Sequence, residues 1–134
     1  MYQKILVPMA LDHGVSPKTL DIARRLASDG AEIVALHVYE APQGSVAAYL
    51  DAETIKAGYD SAEQKLKEKV AGQEVTPVMI KGHSARGIID YAEANGVDCI
   101  VIGSHKPGLS DFFLGSTAAR VVRHSGCAVH VHRS

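Results

Sequence analysis

Residues 100–117 read Ile-Val-Ile-Gly-Ser-His-Lys-Pro-Gly-Leu-Ser-Asp-Phe-Phe-Leu-Gly-Ser-Thr. An apolar strand runs into a loop of small and polar residues, and a second Gly-Ser-Thr opens a helix over 118–124. Small residues let backbone N–H groups approach a ligand, and a helix N-terminus adds free N–H donors and partial positive charge. Ser104, Ser116 and Thr117 add hydroxyls, and Lys106 adds a cation. This chemistry suits a phosphate ester and points to nucleotide binding. A turn followed by a helix start accounts for the same glycines, and local physics leaves both readings open.

Outward from this stretch, five short apolar runs alternate with helical patterns. The runs are residues 4–8, 32–39, 75–80, 98–103 and 128–132. The first and fourth are almost continuously apolar, as strands buried on both faces of a parallel sheet require. Ser16-Pro17 reads as the N-cap and first residue of a helix with Leu20, Ala23, Leu26 and Ala27 as its apolar stripe and Gly30 as its stop. Residues 54–70 form an amphipathic helix with many Glu/Lys pairs. Residues 84–94 place Ile88, Ile89 and Ala92 at helical spacing before an Asn95-Gly96 stop, and residues 115–125 carry Ala118, Ala119, Val121 and Val122. Strands alternating with helices imply right-handed crossovers. The expected fold is α/β: a single domain over 1–134 with a doubly wound five-stranded parallel sheet and helices on both faces. Such sheets bind ligands at the carboxyl ends of their strands, where the strand order reverses. That would bring 10–14 close to 103–117. Residues 41–53 form a loop long enough for a lid or a partner surface.

At 134 residues the chain fits one domain with a full core. It has no Trp and few other aromatics, so that core must be aliphatic. A net charge of −1, with both signs interspersed, argues against broad nucleic-acid or membrane-surface binding. No apolar run approaches ~20 residues, so no transmembrane helix is expected. The chain enters a strand at once, so no signal peptide is expected either. Cys99 and Cys127 make neither a disulfide framework nor a zinc pattern and read as buried small hydrophobes. A reduced, cytoplasmic protein is the expectation.

Gly103 and Gly108 nearly reproduce G-x-x-x-x-G-K-[ST], but Leu109 stands where the lysine belongs and the loop follows the fourth strand, which excludes a P-loop NTPase. No G-x-G-x-x-G follows the first strand, so Glu40 at the end of the second carries no dinucleotide signal. Gly82 permits close backbone approach. Ser84 reads as an N-cap, and Arg86 as a solvated first-turn residue with a phosphate contact as the alternative. Arg123 and His124 suit a helix C-terminus, and His105 could donate one hydrogen bond from its loop. His130 and His132 share one face of the last strand. Pairing with a symmetry mate would gather four imidazoles there. An edge strand that tolerates histidine accounts for both, and no metal site is expected.

Ile-Leu-Val-Pro at 5–8, Gly103-Ser-His, Leu-Gly-Ser at 114–116, Val122-Arg123-His124 and Cys127-Ala-Val together resemble the universal stress protein family. The resemblance covers essentially the whole chain, and its C-terminal third is the specific part. It implies an adenine-nucleotide alpha hydrolase-like fold and ATP binding, with or without Mg²⁺, by a loop of the form G-2x-G-9x-G-[ST]. It also implies a homodimer joined through the last strands, here residues 128–132. By position, Gly103 matches the first glycine, with Ser104 and His105 between it and Lys106, which stands at the second glycine. The segment up to Gly115-Ser116 is one residue shorter than the pattern. Gly115, Ser116 and Thr117 match the final phosphate-binding turn. Ser-His-Lys-Pro resembles the S-H-[RK]-P subgroup, some of whose members bind ATP without that second glycine; Lys106 offers an ammonium in its place. The family's acid two residues after the proline is Ala10 here, and the acid appears at Asp12, from where a longer loop could reach the ribose. Val38 matches the second-strand position whose backbone faces the adenine. The implied site is therefore Pro8, Ala10, Asp12, Val38, Ile102, Gly103, Ser104, His105, Lys106, Gly108, Gly115, Ser116 and Thr117, with no catalytic residue among them.

The leading functional expectation is a nucleotide-binding stress-response protein, a dimeric sensor or adaptor in which ATP shifts the affinity for a protein partner. Slow ATP hydrolysis or self-phosphorylation comes second. The sequence presents no well-placed general base and no Walker-type Asp for Mg²⁺, Asp12 and Asp111 being the nearby carboxylates. A protein-interaction module with a vestigial pocket comes third, and Ala10 argues for it. No isoalloxazine-stacking pattern supports a flavin.

Overall fold

Ile5, Leu6 and Val7 are consecutive, so in a strand their side chains go to opposite faces. All three are fully buried in the computed structural model, and Cys99, Ile100, Val101 and Ile102 repeat the pattern. Both faces of the sheet must therefore be covered. The structure describes residues 1–11, 17–40, 44, 49–104 and 114–133. Strands β1 (Tyr2–Pro8), β2 (Ala27–Tyr39), β3 (Thr76–Lys81), β4 (Cys99–Gly103) and β5 (Ala128–His132) form one parallel sheet in the order β3-β2-β1-β4-β5. Helices α1 (Pro17–Leu26), α2 (Ala52–Val70), α3 (Ser84–Ala94) and α4 (Ser116–His124) cover it.

Strand parity sorts the core into two layers. Ile5, Val7, Ile33, Cys99 and Val101 pack with Leu20 and Ala23 of α1, and Met9 and Ala35 pack with Leu66 and Val70 of α2. Leu6, Val34, Leu36, Val38, Ile100 and Ile102 face the other way, onto Ile88, Ile89 and Ala92 of α3 and Ala118 and Val121 of α4. Each such aliphatic side chain contributes roughly 1.5–3 kcal/mol when fully buried. The chain winds outward from β1 through β2 to β3 and then returns to β4 and β5. Right-handed crossovers place the helices on opposite faces when the winding direction reverses, so α1 and α2 share one face and α3 and α4 the other. The expected α/β architecture is the one observed.

Element ends differ from the sequence reading in instructive ways. Helix α1 stops at Leu26, and β2 begins immediately at Ala27. The register jumps from Tyr2↔Ala27 to Lys4↔Glu32, and Gly30 takes φ +76° within this irregular stretch. Gly30 is thus a bulge residue of β2 rather than the helix stop. Helix α2 begins at Ala52 because the Asp51 carboxylate caps it, accepting from the Thr54 N–H at 2.7 Å. At the sheet edges, β3 carries Pro77, which an edge strand tolerates. On β5, Ala128 and His130 are exposed. Among the described residues no helix is long and apolar enough to cross a membrane.

Cys99 is buried in the β1–β4 layer, whereas Cys127 is half-buried at the entry to β5. Burial pushes the Cys99 thiol up to about 11, and the neighbouring Cys127 and Asp98 add to the shift. The thiolate is the reactive form. A maleimide at about pH 7.5 is therefore expected to modify Cys127 in the folded protein, and Cys99 only after denaturation. Peptide mass spectrometry of the labelled chain checks this, and equal labelling of both cysteines in the native state would contradict the buried position of Cys99.

Candidate functional site

The ladder between the two central strands is short. Met9 donates its N–H to the Leu36 carbonyl of β2 at 2.8 Å, and Lys4 accepts from the Asp98 N–H on the β4 side at 3.1 Å. Hydrogen-bonding direction alternates along a strand, so odd positions of β1 face β2 and even positions face β4. Pro8 is an even position and has no N–H to offer β4. The β1–β4 register accordingly ends at Leu6↔Ile100, while the β1–β2 register continues to Pro8↔Leu36. Beyond Leu6 the two central strands are no longer joined by ladder hydrogen bonds, at the point where the strand order reverses. This is the crevice in which doubly wound sheets bind ligands.

On the β1 side of the crevice, Pro8 is half-buried and Ala10 is exposed. Leu11 packs against the Met9–Leu66 cluster under α2. The half-buried His37 ring meets the Met9 carbonyl through Nδ1 at 2.8 Å. Val38, paired with Ile80, is buried with its side chain directly under α3: a Cβ on Gly87 would stand 3.0 and 3.1 Å from the two Val38 methyls. The Val38 side chain is committed to packing, so its contribution to the edge is backbone.

On the β4 side, Ile102 is buried and Gly103 is exposed, and buried Ser104 donates its N–H to the His132 carbonyl at 2.9 Å. Gly103 has no positive φ, and among the described residues no atom lies within 4 Å of a Cβ built on it. Neither backbone conformation nor packing requires a glycine there; the bare position leaves room at the crevice. A Cβ on Gly115 would lie 3.5 Å from the Ser104 carbonyl oxygen, so the two ends of the glycine loop meet. Gly115 is the N-cap of α4 and supplies no side-chain cap. The first intrahelical bond runs from the Ala119 N–H to the Gly115 carbonyl, leaving the N–H groups of Ser116, Thr117 and Ala118 without helical partners. No acidic residue sits in that first turn.

The neighbouring helix on this face begins differently. Glu40, just past the end of β2, accepts from both the Ser84 N–H at 2.9 Å and the Ser84 hydroxyl at 3.0 Å. The N-cap position of α3 is His83, which makes no side-chain cap bond. The expected Ser84 cap is therefore replaced by a carboxylate brought from 44 positions away. Arg86 pairs with Asp90 at 3.3 Å on the exposed face, the solvated reading of that residue.

The structure thus gathers Ile102, Gly103, Ser104, Gly115, Ser116 and Thr117 on one side of the crevice and places Pro8 and Ala10 on the adjoining strand. Val38 lies one strand further out. Asp12, His105, Lys106, Gly108 and Asp111 lie outside the described residues. Glu40 and His37 were not legible as site residues. Their only signals were an acid at a strand end and a polar residue inside an apolar run. On β5, His130 is exposed as an edge strand allows, but His132 is buried and its Nε2 finds no partner among the described residues.

The profile of the universal stress protein family matches residues 1–133. Universal stress protein G of Shigella flexneri is 32% identical over 143 aligned positions, covering 99% of this chain and the whole of that protein. Among solved structures, hypothetical protein MJ0577 superposes with a TM-score of 0.79 at 26% identity, covering 100% of this chain and 97% of the other. A universal stress protein solved in complex with cAMP shares the fold, with a TM-score of 0.66 at 20% identity and coverage of 98% and 97%.

The Glu40–Ser84 cap carries a pH signature. The Ser84 N–H, and then its hydroxyl, hold the Glu40 carboxyl below its ordinary value. A lowered carboxylate pKa stabilises the fold above the unfolded-state value, and this contribution is lost as pH falls through the folded-state value. Glu40→Ala is expected to cost about 0.5–1 kcal/mol at neutral pH, a small cap for an exposed group. The gap to the wild type should narrow as pH falls below the ordinary glutamate value and close once pH has passed through the lower folded-state value. Urea unfolding of both proteins across this pH range checks this; a gap of equal size throughout would assign the loss to something other than the ionised cap.

Proposed function

Because the chain belongs to the universal stress protein family, a stress-response family, we propose that it binds an adenine nucleotide, with ATP phosphates at the open N-terminus of α4 and the nucleoside across the crevice. One contrast carries this reading. Of the two helix N-termini on the α3/α4 face, that of α3 already holds the Glu40 carboxylate, whereas that of α4 receives no cap from the described residues and lies near Gly103, where a Cβ would meet no described atom. Free N–H groups at a helix start, with the helix dipole behind them, bind phosphate oxygens.

In this reading Gly103, Ser104, Gly115, Ser116 and Thr117 form the phosphate turn, and Gly108, His105 and Lys106 complete it as the S-H-[RK]-P subgroup would. Pro8 and Ile102 wall the opening. Val38 presents its backbone to the adenine, and Asp12 replaces the acid missing at Ala10 and reaches the ribose or a phosphate-bound Mg²⁺. The nucleotide complex of the cAMP-bound relative agrees with this ligand class. ATP would act as a signal by binding two states of a cytoplasmic homodimer unequally and so changing its affinity for a protein partner. The dimer would form through the exposed edge of β5, where the exposed His130 lies beside His132, whose Nε2 has no partner among the described residues. Ala10, exposed and without a carboxylate, favours the second reading of an interaction module that has lost its ligand.

Mass spectrometry of co-purified small molecules, followed by calorimetric titration with Mg-ATP, separates the two readings. Bound or titratable adenine nucleotide supports the first, and its absence supports the second. Gly115→Val is the decisive variant. A Cβ there meets the Ser104 oxygen at ordinary contact distance and φ is −57°, so the fold accommodates it. The valine methyls would then occupy the phosphate turn. ATP affinity is expected to fall at least about tenfold, the loss of one charge-assisted contact or more. Unchanged affinity in the folded variant would move the phosphates elsewhere.

His130→Glu is expected to weaken the dimer by setting like charges across a two-fold axis. Sedimentation velocity over a dilution series measures it, and a dimer of unaltered affinity would place the interface on another surface.

A further inference from the structure

Met9 is the residue at which β1 leaves the sheet, and it is 5% exposed. Both of its backbone polar groups are held by β2: its N–H by the Leu36 carbonyl at 2.8 Å, and its carbonyl by the His37 ring at 2.8 Å. A carbonyl oxygen only accepts, so His37 Nδ1 carries the hydrogen and the tautomer is fixed by this contact. A side chain of β2 thus extends the attachment of β1 past the last register pair, Pro8↔Leu36. The same stretch of β1 has already lost its pairing to β4.

We propose that His37 is a positioning residue for the nucleotide crevice: it latches the Met9–Ala10 peptide to β2 and turns the Ala10 N–H towards the gap beside Gly103. The inference rests on the nucleotide reading given above. The geometry follows from the planar trans peptide, in which the N–H points opposite to the carbonyl. A Met9 carbonyl drawn to β2 sends the Ala10 N–H away from β2. Strand parity sends it to the same side, since even positions of β1 face β4. No acceptor meets that N–H among the described residues. Ala10 has no side chain to reach a ligand, so this oriented donor is the contact that position can make, and its aim depends on His37. The latch also keeps the end of β1 on the β2 side and the crevice open.

The test uses three variants of the intact chain, His37→Phe, His37→Asn and His37→Gln. Phe removes the donor. The Asn amide nitrogen reaches the place of Nδ1, and the Gln amide nitrogen overshoots it. Two readouts are taken: calorimetric affinity for Mg-ATP, and hydrogen–deuterium exchange without ligand at the Met9 amide, whose bond to the Leu36 carbonyl the latch holds in place. The expected result is about a tenfold weaker Kd and faster exchange for Phe and Gln, with Asn restoring both, one hydrogen bond being worth about that factor. A residue that merely packs would not distinguish Asn from Gln. Equal affinity in the folded Phe variant overturns the proposal, as does an Asn variant no better than Gln, a comparison that stands even if Phe does not fold. Should the wild type bind no adenine nucleotide, the nucleotide reading falls and takes the ligand role of His37 with it. In that case exchange restored by Asn still supports the latch itself, and unchanged exchange in all variants overturns it.

Discussion

The missing N–H of Pro8 decides where this sheet can receive a ligand. β1 is the central strand, hydrogen-bonded on both edges and buried on both faces at Ile5, Leu6 and Val7. A strand held on four sides has no freedom to open a pocket unless one ladder is interrupted. Pro8 interrupts the β4 ladder and leaves the β2 ladder intact, because only even positions face β4. The interruption falls where the winding direction reverses, so the helices that follow β1 and β4, α1 and α4, lie on opposite faces. Topology supplies the place for a crevice, and one absent donor ends the ladder there.

Electrostatics then separates two otherwise similar helix starts. α3 and α4 lie on the same face and both present a first turn without acidic residues. A helix N-terminus attracts negative charge whatever its source. At α3 the source is internal: Glu40 reaches the Ser84 N–H and hydroxyl, and these bonds keep the carboxylate ionised further into acid. At α4 the described residues supply no such group, and Gly103 and Gly115 leave the approach unobstructed. The chain satisfies one positive end itself, and among the described residues nothing satisfies the other. In the nucleotide reading Glu40 would contribute to specificity without touching a ligand, by removing the competing site.

Much of this architecture was legible in local pattern. Runs 4–8 and 98–103 are apolar at consecutive positions, which only a doubly covered strand satisfies, and those strands occupy the centre of the sheet. The glycines at 103 and 115 were legible as bare positions: a Cβ on Gly103 would meet no described atom, and one on Gly115 only the Ser104 carbonyl oxygen. What escaped was set by distant partners. Ser84 carries every local sign of an N-cap, yet the cap is a carboxylate 44 residues away. His37 resembles any polar interruption of an apolar run until Met9 is placed beside it. Gly30 reads as a helix stop, and only the register between β1 and β2 shows it absorbing a bulge. Periodicity reports which face a residue takes, and it carries no information about which remote polar atom lies on that face.

The link between the crevice and the sheet edge rests on a single peptide. The β4–β5 register ends at Gly103↔His132, and the next bond, from the Ser104 N–H to the His132 carbonyl, is made by the residue that starts the glycine loop. A ligand seated against Ser104 and Gly115 and a group approaching the end of β5 therefore act on opposite ends of one hydrogen bond. Among the described residues the buried His132 Nε2 has no partner, and a buried polar atom left so costs about 1–3 kcal/mol. Occupancy at one end changes affinity at the other only to the extent that the bond and the His132 ring adopt two arrangements that the ligand binds unequally, and the effect must then run equally in both directions. A sensor built on this fold would need no long relay, since the residue that follows Gly103 also anchors the edge strand.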